Sequence, residues 1–253
     1  MNKYRYGWKK DIPDFRDREY MALSISLDQL PAHVDLRNPN IPILDQGQLG
    51  SCTANAIAIA HQYEQAKQQE KNIFTPSRLF IYYNERSMEG SVNEDSGAMI
   101  RDGIKSVVKQ GVCPETEWPY KIEKFRQKPP DPCYKDAMNN QVLSYSSIAQ
   151  SMYLMKCCLF SGFPFVFGFS VYESFESAAV AKTGIVPMPS KKESLLGGHA
   201  VLAEGYDDKT KMVTVRNSWS DKWGDHGYFY LPYDYITSMK LASDFWKISL
   251  VEP

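Results

Sequence analysis

The stretch DQGQLGSCTANAIAIAHQ, running from Asp45 to Gln62, joins a glycine-broken polar loop to a run of alanine and isoleucine. Apolar residues surround most of the first turns of that run, the pattern of a helix buried on every side. At the junction stands Cys52. Buried cysteines usually pack inside an element as small inert hydrophobes. A thiol at a helix N-terminus instead meets the free N–H groups of the first turn and the positive end of the helix dipole, both of which favour the thiolate.

Working outward, "PSRLFIYYNERS" and "SGAMIRDGIKSVVKQG" read as further helices, the second closed by Gly111. "CPETEWPYKIEKFRQKPPDPCY" is broken by prolines, and "SMYLMKCCLF" fits one more helix. Beyond about residue 141 the aromatic and β-branched runs "FPFVFGFSV", "HAVLAEGYD", "KMVTVRNSW", "GYFYLP" and "FWKISLV" are bounded by turn residues, as strands are. Helices followed by strands predict an α+β protein of two lobes, with a ligand site in the cleft between them. The expected division is a segment 1–30 and a domain 31–253, its α lobe about 31–140 and its β lobe about 141–253. Segment 1–30 carries Tyr4, Tyr6, Trp8, Phe15 and Tyr20, too much aromatic surface for a free tail. It is expected to lie along the surface anchored by Trp8 and Phe15, either gating the cleft or strapping the lobes together.

A chain of 253 residues that is 43% hydrophobic has enough material for a real core. Its net charge of −1 gives no reason to expect nucleic acid or an acidic membrane surface as partner. No run approaches the roughly 18 apolar residues of a spanning helix, and the N-terminus lacks the apolar core of a secretory signal. A cytoplasmic monomer is the expectation. Five cysteines in no C-x-x-C spacing and four scattered histidines predict no metal and no cofactor, although a Cys113–Cys133 bridge is conceivable. Cys157 and Cys158 read as packed and inert.

Thiol catalysis needs a thiolate, a base to hold it charged, and donors for the oxyanion. His61, nine residues along the same helix, is roughly 13 Å away and out of reach. His199 opens "GGHAVLAEGY", and Asn217 ends the next strand, where it is placed to accept from the outer ring nitrogen of His199 and fix the tautomer. Gln46 is placed to set an amide donor beside the Cys52 N–H.

The ordered motifs "QGQLGSC", "GGHAVLAEGY" and "NSWSDKWGDHGY" resemble the papain-like cysteine peptidases, particularly compact members from bacteria and large DNA viruses. The resemblance covers roughly residues 31 to 250. It implies a helical lobe and an antiparallel, β-barrel-like lobe around the site, and an endopeptidase acting on peptides or proteins through an acyl-enzyme. It also implies Cys52 as nucleophile, His199 as base and acid, Asn217 as orienting residue, Gln46 as oxyanion donor and Trp219 as cover over the His199–Asn217 bond. Alignment to the family places Gly97 at the cleft edge that pairs with substrate backbone. Met99, Ile100, Gly168, Gly197, Gly198 and Ala200 then line a roomy, uncharged pocket for the second residue before the scissile bond. That pocket is expected to prefer Leu, Val, Phe or Tyr over Arg or Asp, with Asp234 or Asp244 the first suspect if arginine is favoured. Three positions depart from the family: Thr53 replaces an aromatic, Leu49 a cysteine and Ser220 a glycine. A transglutaminase-like enzyme and a non-catalytic binding module of the same fold are the competing readings. The Asn-Ser-Trp motif speaks against the first, and the presence of all four site residues against the second.

Overall fold

The computed structural model describes residues 4–22 and 25–252. The stretch from Asp45 to Gln62 contains the start of helix α1 (Cys52–Lys67), whose side chains are buried without a break from Cys52 to Gln62. Around it pack α2 (Arg78–Met88), capped by Ser77, and α3 (Ile100–Gln110), ended by Gly111 at φ 71°. The short α4 (Asp131–Ala137) follows. Among the described residues no helix is long and apolar enough to cross a membrane.

From residue 142 onward the chain is mainly strand. In order come β4 (Val142–Ser147), α5 (Met152–Phe160), β5 (Phe165–Tyr172), α6 (Ala178–Thr183), β6 (Leu195–Asp207), β7 (Met212–Arg216), β8 (Tyr228–Pro232), α7 (Tyr233–Ile236) and β9 (Ala242–Val251). With β2 (His33–Asp35) they make a seven-stranded antiparallel sheet of order β4-β9-β5-β6-β7-β8, β2 lying beside β6. The barrel-like expectation needs correction, because β4 and β8 do not pair among the described residues and the sheet stays open. Isolated bridges meet both edges instead, Glu19 to Ser147 on β4 and Ile185 to Tyr230 on β8, so neither edge is left bare.

Strand β5 shows how the sheet divides the interior. Phe165, Phe167, Phe169 and Val171 belong to one apolar cluster with Tyr206, Phe229 and Phe245, while Val166 joins the helices' cluster with Ile57, Phe80 and Ile104. This is the period-two alternation of a strand buried on both faces. Gly168, on the helices' side, leaves a gap in that alternation.

The gap is filled from the N-terminus. Trp8, only 8% exposed, sits so close that a β-carbon on Gly168 or Gly198 would collide with its ring. Strand β1 (Trp8–Lys9) runs parallel to β3 (Ala98–Met99), and Ala98 N donates to Gly7 O at 2.8 Å. Further on, Asp14 and Asp17 bind Arg101, and Arg18 and Tyr20 exchange backbone hydrogen bonds with Ser147. Phe15 does not serve as an anchor, being 99% exposed. The neighbouring carboxylates hold this part of the chain, and Phe15 points off it into solvent.

Ser220, which stands where the family has glycine, has φ 67°. Left-handed backbone costs a residue with a β-carbon about 1 kcal/mol. Ser220→Gly is therefore expected to raise the melting temperature by about 2–4 °C, measured by calorimetry, and an unchanged value would deny the strain.

Candidate active site

Cys52 is fully buried as the first residue of α1. Backbone N–H groups of Ala200, Gly7 and Thr53 lie near enough to its sulfur to favour the thiolate, so it lies against the strand that carries His199. The His199 ring is also fully buried. Its Nε2 bonds Asn217 Oδ1 at 2.8 Å, and among the described residues its Nδ1 has no hydrogen-bond partner. Trp219 stacks over the imidazole with ring centroids 5.0 Å apart. Gln46 donates from Nε2 to Leu49 O at 2.9 Å and Arg5 O at 3.0 Å, while its Oε1 accepts from Ser218 Oγ at 2.7 Å. The loop before α1 is thus tied to the segment after β7. Gln46, Ser218, Asn217 and His199 are linked at that seam by hydrogen bonds, and Cys52 follows the loop beside Ala200.

The residues expected to bind substrate meet the chain's own N-terminus. Gly97, at φ 69°, comes so close to Gly7 that it tolerates no β-carbon, and Gly7 tolerates none because of the Gly50 backbone. Met99 pairs with Lys9, Gly197 packs on Tyr6, and Gly168 and Gly198 hold the Trp8 ring. Ala200 faces Cys52, and Trp219 stacks on Tyr4 at 3.8 Å. Ile100 lies one residue beyond the pairing, buried at the start of α3. Residues 4–9 thus lie along the cleft and pass over Cys52.

That cover sets the charge state. Burial pushes the Cys52 thiol up to about 11, against the opposing pull of the three N–H groups. Burial also lowers His199 to about 4, against its bond to Asn217. With the segment docked, thiol and imidazole are both neutral between those limits, the opposite of an ion pair.

Some site features escape the sequence motifs. Thr53 Oγ1 donates to Glu85 Oε1 at 2.6 Å, and burial raises the Glu85 carboxyl well above its usual range. The pair explains Thr53, because a hydroxyl meets the carboxyl where the family places an aromatic. The pocket is also not uncharged throughout. Trp8 Nε1 donates to Asp244 Oδ2 at 3.0 Å, so a carboxyl group stands at the far end of the ring. Asp244 has φ 60°, an uncommon backbone state for a non-glycine residue. Tyr6 OH is held by Glu176. The aromatic richness of residues 4–8 hinted at these contacts, and Asp244 was one of two acidic residues suspected at the subsite.

Comparison with known proteins agrees with this geometry. The profile described as "Papain family cysteine protease" matches residues 30–246. An "Uncharacterized peptidase C1-like protein L477" of Acanthamoeba polyphaga mimivirus is 51% identical across 97% of this chain and 87% of its own length. The crystal structure of xylellain, a cysteine protease from Xylella fastidiosa, is 47% identical with a TM-score of 0.93, covering 98% of this chain and 97% of that one. The fold alone is shared with proCathepsin B S9 from Trypanosoma congolense, at 18% identity and TM-score 0.76, covering 96% of this chain and 87% of that one.

Proposed function

The chain belongs to the papain family of cysteine proteases, and from that premise we propose that it is an endopeptidase with Cys52 as nucleophile and residues 4–9 as a built-in gate. The observation that carries the catalytic roles is the seam just described, with Cys52 beside Ala200 and His199 held by Asn217. The bond at Nε2 leaves Nδ1 as the nitrogen that exchanges a proton with the thiol. Cys52 Sγ attacks the peptide carbonyl, and Gln46 Nε2–H with the Cys52 N–H holds the oxyanion. His199 gives its proton to the departing amine, then takes one from the water that releases the acyl group. The Arg5 carbonyl, already bonded to Gln46, marks where that oxygen sits.

One feature supports an endopeptidase. The docked segment crosses the whole cleft, from Tyr4 on Trp219 to Lys9 beside Met99, and continues to Asp17 on Arg101. Room for chain on both sides of Cys52 suits cleavage inside a polypeptide. On the family's subsite assignment the segment runs opposite to a substrate, because its earlier residues lie on the Trp219 side. A carbonyl near Gln46 in a reversed chain does not present its leaving amine to His199, so the gate blocks without being cut.

Asp244 amends the expected specificity. Burial first and the neighbouring Asp244 second raise Asp11, and Asp244 is itself raised by burial, so the docked pair favours a bound proton. Asp11, two residues past the gate, leaves with it, so Asp244 ionises at the end of an otherwise apolar slot. Side chains that reach it with a donor, such as Tyr, Trp or Arg, are expected there over Leu, by about tenfold. Digesting a proteome-derived peptide library and sequencing the products tests both points. Internal cuts support an endopeptidase, and stepwise trimming from one end rejects it. Asp244→Ala should restore Leu and Val to parity, and an unchanged preference would remove Asp244 from specificity.

A further inference from the structure

Away from the cleft, Cys113, Cys133 and Glu117 converge. Their sulfurs and a carboxylate oxygen all lie within 4.8 Å of one another. Cys113 is on the loop after α3, where its carbonyl accepts from Ser77 N at 2.8 Å. Cys133 is in the first turn of α4, and Glu117 stands in the turn following Pro114. Both thiols are free and buried, while Glu117 is exposed. Asp136, one helical turn beyond Cys133, adds its charge to the field on both thiols. No ion pair reaches Glu117 or Asp136 among the described residues. Every one of these groups is either an anion or becomes one on losing a proton.

We propose that Cys113, Cys133 and Glu117 bind a thiophilic divalent cation, with zinc the best match to two sulfurs and one oxygen. In a tetrahedral zinc site, sulfur at about 2.3 Å and oxygen at about 2.0–2.2 Å put neighbouring ligand atoms about 3.3–3.8 Å apart, a small contraction of the present cluster. The cation displaces two thiol protons to solvent and takes two thiolates and one carboxylate oxygen, and water or Asp136 completes the fourth position. Linear spacing concealed the site because its ligands come from a loop, a turn and a helix separated by the proline-rich connection. Bound metal would fasten α4 to the loop whose Glu115 holds Arg78, which in turn donates to Asp45 O beside Gln46.

The test uses the full chain carrying Cys52→Ala, so that the active-site thiol takes no metal, reduced and titrated with cobalt(II). One cobalt per chain with a near-ultraviolet thiolate-to-metal band is expected, displaced by zinc and accompanied by a higher melting temperature. Cys133→Ser should abolish the band. Glu117→Gln, at an exposed position that leaves folding alone, should weaken binding by about tenfold or more. The proposal is overturned if the reduced protein shows no stoichiometric band, or if the band survives Cys133→Ser and so belongs to Cys157 and Cys158. It is equally overturned if the isolated chain carries a Cys113–Cys133 disulfide and binds no cobalt after reduction.

Discussion

Trp8→Ala is expected to raise kcat/KM toward short peptide substrates by about 100-fold or more. The indole fills the space between Gly168 and Gly198 and bonds Asp244, so its loss removes about 3–5 kcal/mol from docking of the gate. While the closed state dominates, the competent fraction grows by the matching factor, tenfold per 1.4 kcal/mol, until the gate is fully open. The rest of the segment stays attached through Asp14, Asp17, Arg18 and Tyr20, so the melting temperature should fall only slightly. Truncation to Leu30 removes those contacts as well and is expected to lower it clearly. A Trp8→Ala enzyme no faster than the parent, with a lower melting temperature, would reduce the segment to a strap.

The same gate has a pH dependence with two opposing arms. His199 is lowered from 6.5 to about 4 when covered, so docking is fully favoured above about 6.5 and loses ground as pH falls through 4. Asp11 is raised from 3.8 to about 7, by burial first and Asp244 second, so its contribution is complete below 3.8 and is lost as pH rises through 7. The Arg101 N–H, the Trp246 indole and the charges of Asp102 and Lys10 also act on this pair. Asp11→Asn removes the second arm alone, so the variant should open toward acid but stay closed near neutrality, read as lower activity there than the parent.

Much of this architecture was legible because it rests on local patterns. The all-round apolar run after Cys52 gave a buried helix, and the alternation through Phe165–Val171 gave a strand covered on both faces. The ordered motifs pointed to Cys52 at the start of α1, His199 within β6 and Asn217 just past β7, and the last two are joined by a hydrogen bond. What escaped depends on side chains from distant segments. The Thr53–Glu85 hydrogen bond spans 32 residues and the Trp8–Asp244 bond 236, and no period or spacing encodes either. Phe15 misled because aromatic character signals a preference for burial but not which aromatic obtains it. Its neighbours Asp14 and Asp17 found Arg101, and that ionic anchor left Phe15 outside. The open sheet escaped because closure depends on which edges meet, a property of the whole sheet.

Cys52→Ala, placed in the Trp8→Ala background so that the gate does not mask the result, is expected to abolish cleavage of casein, a loss of about 1000-fold or more. Without the thiolate there is no covalent intermediate, and the oxyanion donors alone retain little of the rate. The fold should persist. Alanine is at least as good a helix residue at the start of α1, and one buried sulfur is worth only about 1 kcal/mol of packing. Iodoacetamide distinguishes the thiol's state from its identity. In the parent the neutral, covered Cys52 should alkylate slowly at mildly acidic pH, whereas in Trp8→Ala the reopened cleft lets His199 hold a thiolate and one thiol should react fast. Peptide mapping should place that adduct on Cys52. Fast labelling at Cys157 or Cys158 instead, or near-normal turnover in Cys52→Ala, would remove Cys52 from the mechanism and the gate with it, because a cover over an idle thiol would inhibit nothing.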